Sequence, residues 1–588
     1  MKQDLPVVLE HGKRGLLSID DGRLDLLQLS SDGNREPKLP GCAPLTPSAP
    51  KRLMSSPLRL VLLAKLGTAP ASATSASGAA VSSSASASSG GAGGKTRLDL
   101  HALVQKGAKS HALHLTKIHV LVEASHASDA EAWCAELMAA AYPVTAPCRR
   151  VLLLLNPVGG KGKAKQLVAK EVVPVLEAAG CRVDLKETTH RNHAEEICAT
   201  IPLDYDVIAT ASGDGIIYEV LNGLGSRPDA RRALRIPIAP IPTGSANACN
   251  INLMGIKDTF NLPLAALNAI KGQPMTVDLC SILLLPENKR RLSFLSQATG
   301  LMVDVDIGTE NLRWMGDARF MYGFMRGIAA NKGAKMKMVL DIVEKDKATM
   351  DREARDDVQR ALGKVYGGGT DPLDLLRGVQ AKTPKPEPAV SEGPNGTAVN
   401  GSSNGDAQPA GTAAEEDDGP LPAAKPLQPT ESWLTIDATH HHARGSKGFT
   451  NTWESGQAAL YMYAGLMPYV ARDLNQWPVI IPGSGVMDVV VQRVVARTTL
   501  INGIGGAEVG KPFYQDSQLY LKVRGYTCKN LDKKHQPQFT IDGEAFDWDE
   551  FHVEVLPRAG TVASLDGRLY VSDFFKTPAP AKKSVNGS

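Results

Sequence analysis

Between positions 151 and 275 one arrangement repeats: a short apolar run, a turn rich in glycine or polar residues, then apolar residues at helical spacing. The runs are VLLLL (151–155), CRVDLKE (181–187), YDVIATA (205–211) and RIPIAPI (235–241). Apolar strands alternating with helices predict a parallel, doubly wound α/β sheet covered on both faces. Ligands of such sheets bind beyond the carboxyl ends of the strands, so the turns there are where chemistry is expected.

The first turn, NPVGGKGKA (156–164), feeds glycines and lysines into a helix start, which suits a phosphate. It is not a Walker A loop, because Gly162-Lys163 is followed by Ala164. The second, TTHRNHAEE (188–196), offers Asn192 as a helix cap. The third, SGDG, comprises Ser212, Gly213, Asp214 and Gly215. The fourth, PTGSANA (242–248), is another small-residue turn. A dinucleotide fingerprint fails, since Tyr218 and Lys165 stand where a third glycine is needed. Taken alone, Asp214 between two glycines reads first as a helix cap and second as a chemical group. Four such turns at one sheet edge favour a nucleotide-phosphate site.

The remaining sequence sets limits. With a formal net charge of +3 over 588 residues, a dedicated nucleic-acid binder is not expected. Eight scattered cysteines without a CxxC pair fit free thiols in a reducing compartment. The run His440–His442 has no second ligand pair and reads as a polar turn. No apolar run approaches the roughly 20 residues of a membrane span. LRLVLLAKLG (58–67) reads as a strand of a packed domain. Residues 69–95 (Ala, Ser, Gly) and about 380–430 (Pro, Gly, Ser, charge) read as disordered insertions. They leave an N-terminal part, 1–150, expected to be β-rich, closed by a helix and regulatory or membrane-targeting. The α/β part, 151–275, follows, and then a strand-rich part, 276–588, expected to be an antiparallel β-sandwich.

NPVGGKGKA, TTHRNHAEE, SGDGIIYEVLNGL and PTGSANA, with GLMVDVDIGTENLRWMGDARFMYG (300–323) and TIDGEAF (540–546), resemble the diacylglycerol-kinase-type lipid kinases. Within them the closest resemblance is to the sphingosine, or sphingoid long-chain base, kinases. One departure is Ala246, where the family's fourth turn has a glycine. The resemblance implies ATP and Mg²⁺, with Asn156, Pro157, Val158, Gly160, Gly162, Thr188, Arg191, Asn192, Gly244, Ser245 and Ala246 around the nucleotide. Glu219 would help orient the nucleotide or Mg²⁺ network, with Mg²⁺ ligands unassigned. Arg313 and Arg319 would reach the phosphates, and Asp542, Gly543 and Glu544 would complete the site. Asp214 would be the general base for the lipid's primary hydroxyl, with Ser212, Gly213 and Gly215 beside the substrate.

Read as a strand, VDVD puts Asp304 and Asp306 on one face, and by the resemblance Asp306 pairs with the ammonium of a sphingoid base. Ceramide and diacylglycerol lack that charge, which sets those kinases apart as alternatives. A non-catalytic lipid sensor and an NAD kinase are the others. Such a kinase is expected in the cytoplasm, touching membranes peripherally to collect its lipid.

Overall fold

The four apolar runs form parallel strands, Arg150–Leu155, Arg182–Glu187, Val207–Ser212 and Ile238–Pro242. Their spatial order is second, first, third, fourth. Val207 pairs with Val151, and Ile208 with Ile238. The order reverses between the first and third strands, so Leu155 and Ser212 end beside one crevice. The central strands are buried on both faces, as the unbroken apolar runs require.

The computed structural model describes residues 3–29, 50–67, 95–107, 110–160, 162–315, 318–365, 418–440, 452–454, 457–532 and 538–577. The Ala/Ser-rich insertion up to residue 94, the segment 366–417, and His441 and His442 lie outside them.

The strand-rich part is not a separate sandwich. Among the described residues its antiparallel strands, apart from the small pair Tyr469–Ala471 and Leu474–Asn475, share one 15-stranded sheet with the four parallel ones. Strand Glu550–Ser564 is the joint. Val562 pairs in parallel with Ile238 on one edge, and Gln273–Leu285 runs antiparallel along the other. The strand also pairs with Gly525–Lys529 of the long strand Gln518–Asn530. The expected division between 275 and 276 is therefore crossed by backbone hydrogen bonds.

LMVDVD corrects a second expectation. Residues Leu301–Asp306 form a short helix, not a strand. Gly300, the last residue of strand Ser296–Gly300, takes φ +71° and turns the chain out of the ladder. Leu301, Met302, Val303 and Val305 then pack into an apolar cluster with Leu460, Tyr461 and Trp477. Burial on several sides outweighs the strand preference of the two valines. On a helix, Asp304 and Asp306 lie about 200° apart rather than on one face.

The charged linker also ends earlier than expected. From Asp418 the chain packs on the α/β unit: Asp418 pairs with Arg235, and Arg231 donates its N–H to the Gly419 carbonyl at 3.0 Å. Arg290 donates to Pro422 O at 2.8 Å, and Leu421 packs against the core. Polar composition hid a segment that is anchored through its backbone.

The described residues between 3 and 141 form a seven-stranded antiparallel sheet and the helix Ala127–Ala141. Strand Val61–Gly67 lies within it, inside the apolar stretch 58–67. The unit leans on the strand-rich part through Arg59 to Asp566 (3.1 Å) and on the α/β part through His111 to Asp258 (2.9 Å). Lys271 donates to Ala141 O at 2.8 Å.

A side chain at position 300 would meet Leu460 O at 2.6 Å, on a backbone that L-residues rarely adopt. Gly300→Ala is expected to lower unfolding free energy by about 1–3 kcal/mol. Urea denaturation checks this; an unchanged midpoint at unchanged slope contradicts it.

Candidate active site

Asp214 opens the helix Asp214–Gly225, immediately beyond strand Val207–Ser212. Its carboxylate does not cap that helix with a side-chain bond. It reaches to the next strand–helix junction, accepting the N–H of Ala248 at 2.8 Å and of Cys249 at 2.9 Å. These are the first amides of helix Ala248–Met254, where negative charge is stabilised. Burial nevertheless pushes the Asp214 carboxyl above its ordinary range, against the pull of those amides. The capping and the chemical readings thus fall on the same carboxylate, with the cap on a different helix.

Glu219 uses the same device. It accepts the N–H of Asn192 and of Ala194, each at 3.0 Å, and so holds the second turn to the third helix. Burial raises its pKa as well. Asn192, expected as a cap, makes no side-chain capping bond and takes a left-handed conformation at the start of helix His193–Cys198.

Asp542 sits at the tip of the hairpin between Gln538–Ile541 and Glu544–Asp547. It accepts from Phe294 N (3.0 Å), Leu295 N (3.0 Å), Ser296 N (2.8 Å) and Ser293 Oγ (2.7 Å). Burial holds its pKa up at about 6. Glu544 next to it is ion-paired with Arg191, which ties the hairpin to the second turn.

These anchors bring the four turns to one polar cleft. From the first turn, Asn156, Pro157, Val158 and Gly160 line it. Thr188 and Arg191 line it from the second, with Ser212, Gly213, Asp214, Gly215 and Glu219 from the third. Gly244, Ser245 and Ala246 come from the fourth, and Arg319, Asp542, Gly543 and Glu544 from the strand-rich part. Gly162 and Asn192 are not on its lining. The Arg313 side chain lies outside what is described. Thr189 and His190, within the second turn that the resemblance sets around the nucleotide, line it too, and Glu187, Ile307 and Ala545 join them without having been expected there. The His190 ring stacks on His193 at 4.7 Å.

The third and fourth turns touch backbone to backbone. A Cβ on Gly244 would come within 2.3 Å of Gly213 Cα, so neither turn could recede without opening the cleft. Ala246 does not have the positive φ that would demand glycine; Asn247 takes that role at +53°. Its methyl group is therefore accommodated without backbone strain. Glycine-rich backbone, Arg191 and Arg319 form a donor set that fits nucleotide phosphates. Among the described residues, no group of three or more His, Cys, Asp or Glu could hold a metal.

A second, largely apolar cavity adjoins the cleft, and Asp214, Ala246, Ile307, Arg319, Asp542 and Gly543 line both. Asp306, at the end of its short helix, faces this cavity with Met302, Val305 and Phe324. Burial pushes the Asp306 carboxyl up to about 6, and the Arg319 charge pulls the other way. Asp304 is exposed and does not line the cavity.

Comparison with known proteins agrees with this arrangement. Residues 150–282 match the diacylglycerol kinase catalytic domain. Sphingoid long chain base kinase 4 of Schizosaccharomyces pombe is 28% identical over 74% of this chain and 79% of its own length. Sphingoid long chain base kinase 5 of Saccharomyces cerevisiae is 31% identical over 76% of this chain and 64% of its own length. Sphingosine kinase 2 of Homo sapiens is 40% identical over 31% of this chain and 28% of its own length. The chain thus contains a diacylglycerol kinase catalytic domain around Asp214 and, over about three quarters of its length, is similar to the two yeast sphingoid long chain base kinases.

Proposed function

We propose that the protein transfers the γ-phosphoryl group of ATP to the primary hydroxyl of sphingoid long-chain bases. The observation that carries this is the meeting of a polar cleft and an apolar cavity on Asp214, with a second carboxylate, Asp306, facing the apolar side. ATP, when bound with Mg²⁺, supplies the phosphoryl group, and phosphates and water would hold most of the ion. Arg191 and Arg319 neutralise phosphate charge, which is most of what phosphoryl transfer asks of a protein. Asp214 accepts the proton of the attacking hydroxyl. Its two backbone hydrogen bonds fix it in place while each carboxylate oxygen keeps a further lone pair. Its raised pKa makes it a better proton acceptor than an exposed aspartate.

Asp306 pairs with the substrate ammonium in surroundings dry enough to strengthen the attraction. Ceramide and diacylglycerol offer no charge to repay its burial. The chain of the lipid lies in the apolar cavity, where each buried CH₂ contributes about 0.8 kcal/mol.

Collection of the lipid is peripheral. No helix among the described residues is long and apolar enough to cross a membrane. Met321, Tyr322 and Met325 of helix Ala318–Ala330 are exposed, as is Ile501 of helix Arg497–Ile504. Phe320, Phe324, Leu500 and Ile504 of the same two helices line the cavity, and so does Met321, so the exposed apolar groups sit beside its mouth.

Asp214→Asn is expected to reduce lipid phosphorylation by at least about 10³-fold with ATP binding retained. The new amide would set an NH₂ against the amides of Ala248 or Cys249, so thermal unfolding must accompany the assay. A folded, ATP-binding variant with full turnover removes Asp214 from the chemistry.

In the free protein Asp306 is ionised above about 6 and neutral below it. Efficiency on sphinganine should therefore fall as pH drops through about 6, by loss of the ionised partner. Asp306→Asn should raise KM for sphinganine far more than KM for ATP and remove the pH dependence of that KM, leaving whatever Asp214 and Asp542 contribute to kcat. A variant with the wild-type pH profile and KM values refutes the pairing.

The double change Tyr322→Ser with Met325→Ser, at exposed positions off the cavity lining, should weaken co-sedimentation with vesicles and raise KM for vesicle-borne sphinganine. A water-soluble short-chain base should be phosphorylated as before. Unaltered vesicle binding contradicts this docking surface.

A further inference from the structure

The cavity that receives the lipid chain is not uniformly apolar. Three adjacent antiparallel strands place Tyr461, Gln492 and Gln518 in a single cross-strand row, in register with one another. All three side chains are at least 95% buried and all three line the cavity. Gln492 is satisfied by Arg493 O (3.0 Å) and Ser517 O (3.4 Å). Gln518 donates to the Tyr461 hydroxyl at 3.4 Å, but its Oε1 is buried without any hydrogen-bond partner. Gln476, also 5% exposed and on the lining, leaves its Nε2 unpartnered.

A buried amide atom without a partner is costly, and a leucine in its place would pack against an alkyl chain at no such cost. The next row along the same strands toward the aspartates contains Tyr463 and Val490. Tyr463 lies in the electrostatic field of Asp306 and Asp542. The row of Tyr461, Gln492 and Gln518 is one strand repeat beyond it, about 7 Å further from the ammonium-reading end. It therefore faces the hydrocarbon chain and not the amino alcohol head.

We infer that Gln518, with Tyr461 beside it, reads a hydroxyl carried on the hydrocarbon chain, so that chain-hydroxylated long-chain bases are the preferred substrates. The inference rests on the sphingoid-base reading of the site. A hydroxyl both donates and accepts, so it satisfies the free amide atom whichever way the Gln518 amide is turned. A plain chain leaves that atom unpaired, which is the kind of mismatch that sites built for a hydroxyl reject most strongly.

The test is kcat/KM of the full chain for three bases presented in mixed micelles: sphinganine, 4-hydroxysphinganine, and an analogue with its added hydroxyl in mid-chain. Wild type should favour at least one hydroxylated base over sphinganine, and Gln518→Leu should shrink that ratio about tenfold with KM for ATP unchanged. Gln518→Met, which keeps length and volume, should do the same and guards against a folding defect in the first variant. The inference is overturned if wild type favours neither hydroxylated base. It is equally overturned if both variants keep the ratio, or lose efficiency on all three bases alike. If wild type phosphorylates none of the three, the sphingoid-base reading falls, and the inference with it.

Discussion

The carboxylate of Asp214 and the amides of Ala248 and Cys249 hold two strand ends together, and the rest of the site is arranged around them. Glu219 repeats this with Asn192 and Ala194, and Asp542 with Phe294, Leu295 and Ser296. In each case a buried acid reaches out of its own element and satisfies amides of another. A hydrogen bond to a charged group contributes roughly 1.5–3 kcal/mol, yet the pKa values of all three acids are raised. Desolvation wins in each. The amides make burial of the acids tolerable without making them ordinary carboxylates, and Asp214 remains both anchored and basic.

Legibility in the sequence followed the physics of each segment. The parallel strands were readable because burial on both faces demands unbroken apolar runs, as in Val151–Leu155 and Val207–Ala209. The cleft was readable because strand ends in such a sheet converge, so four odd turns implied one site. Asp304 and Asp306 were misread because two alternating valines satisfy a strand pattern. The strand ends at Gly300, whose φ of +71° turns the chain out of the ladder, and a lone glycine before VDVD does not announce this. The partners of Asp214 and Glu219 were hidden, since a carboxylate bound to backbone amides leaves no mark on the identity of the residues it holds. Segment 418–427 was hidden for the same reason: Gly419 and Pro422 bond through carbonyls, and Leu427 through its N–H to His552. The apolar cavity is built from distant stretches, and nothing local in Met302, Phe324 and Leu500 marks them as neighbours.

Charge and oil are kept apart by a single boundary. Asp214, Arg319 and Asp542 stand where the polar cleft becomes the apolar cavity. Arg319 is buried on this boundary with its guanidinium over the Phe320 ring at 4.2 Å, a weakly hydrated cation that tolerates an aromatic neighbour. A lysine there would carry a more strongly hydrated charge into the same dry place. The boundary thus leaves one carboxylate, Asp214, facing a polar cleft on one side and an apolar cavity on the other.

Strand Glu550–Ser564 closes the edge of Ile238–Pro242 and pairs along Gln273–Leu285. During synthesis the parallel strands are complete once Pro242 has been made, but their partner begins only at Glu550. At roughly 5–20 residues per second, the growing polypeptide carries that open edge for roughly 15–60 s. An apolar strand edge left open is a template for wrong pairing. The nascent chain thus carries an edge open to wrong pairing for about half of its translation, and a premature stop before residue 550 leaves that edge uncovered for good.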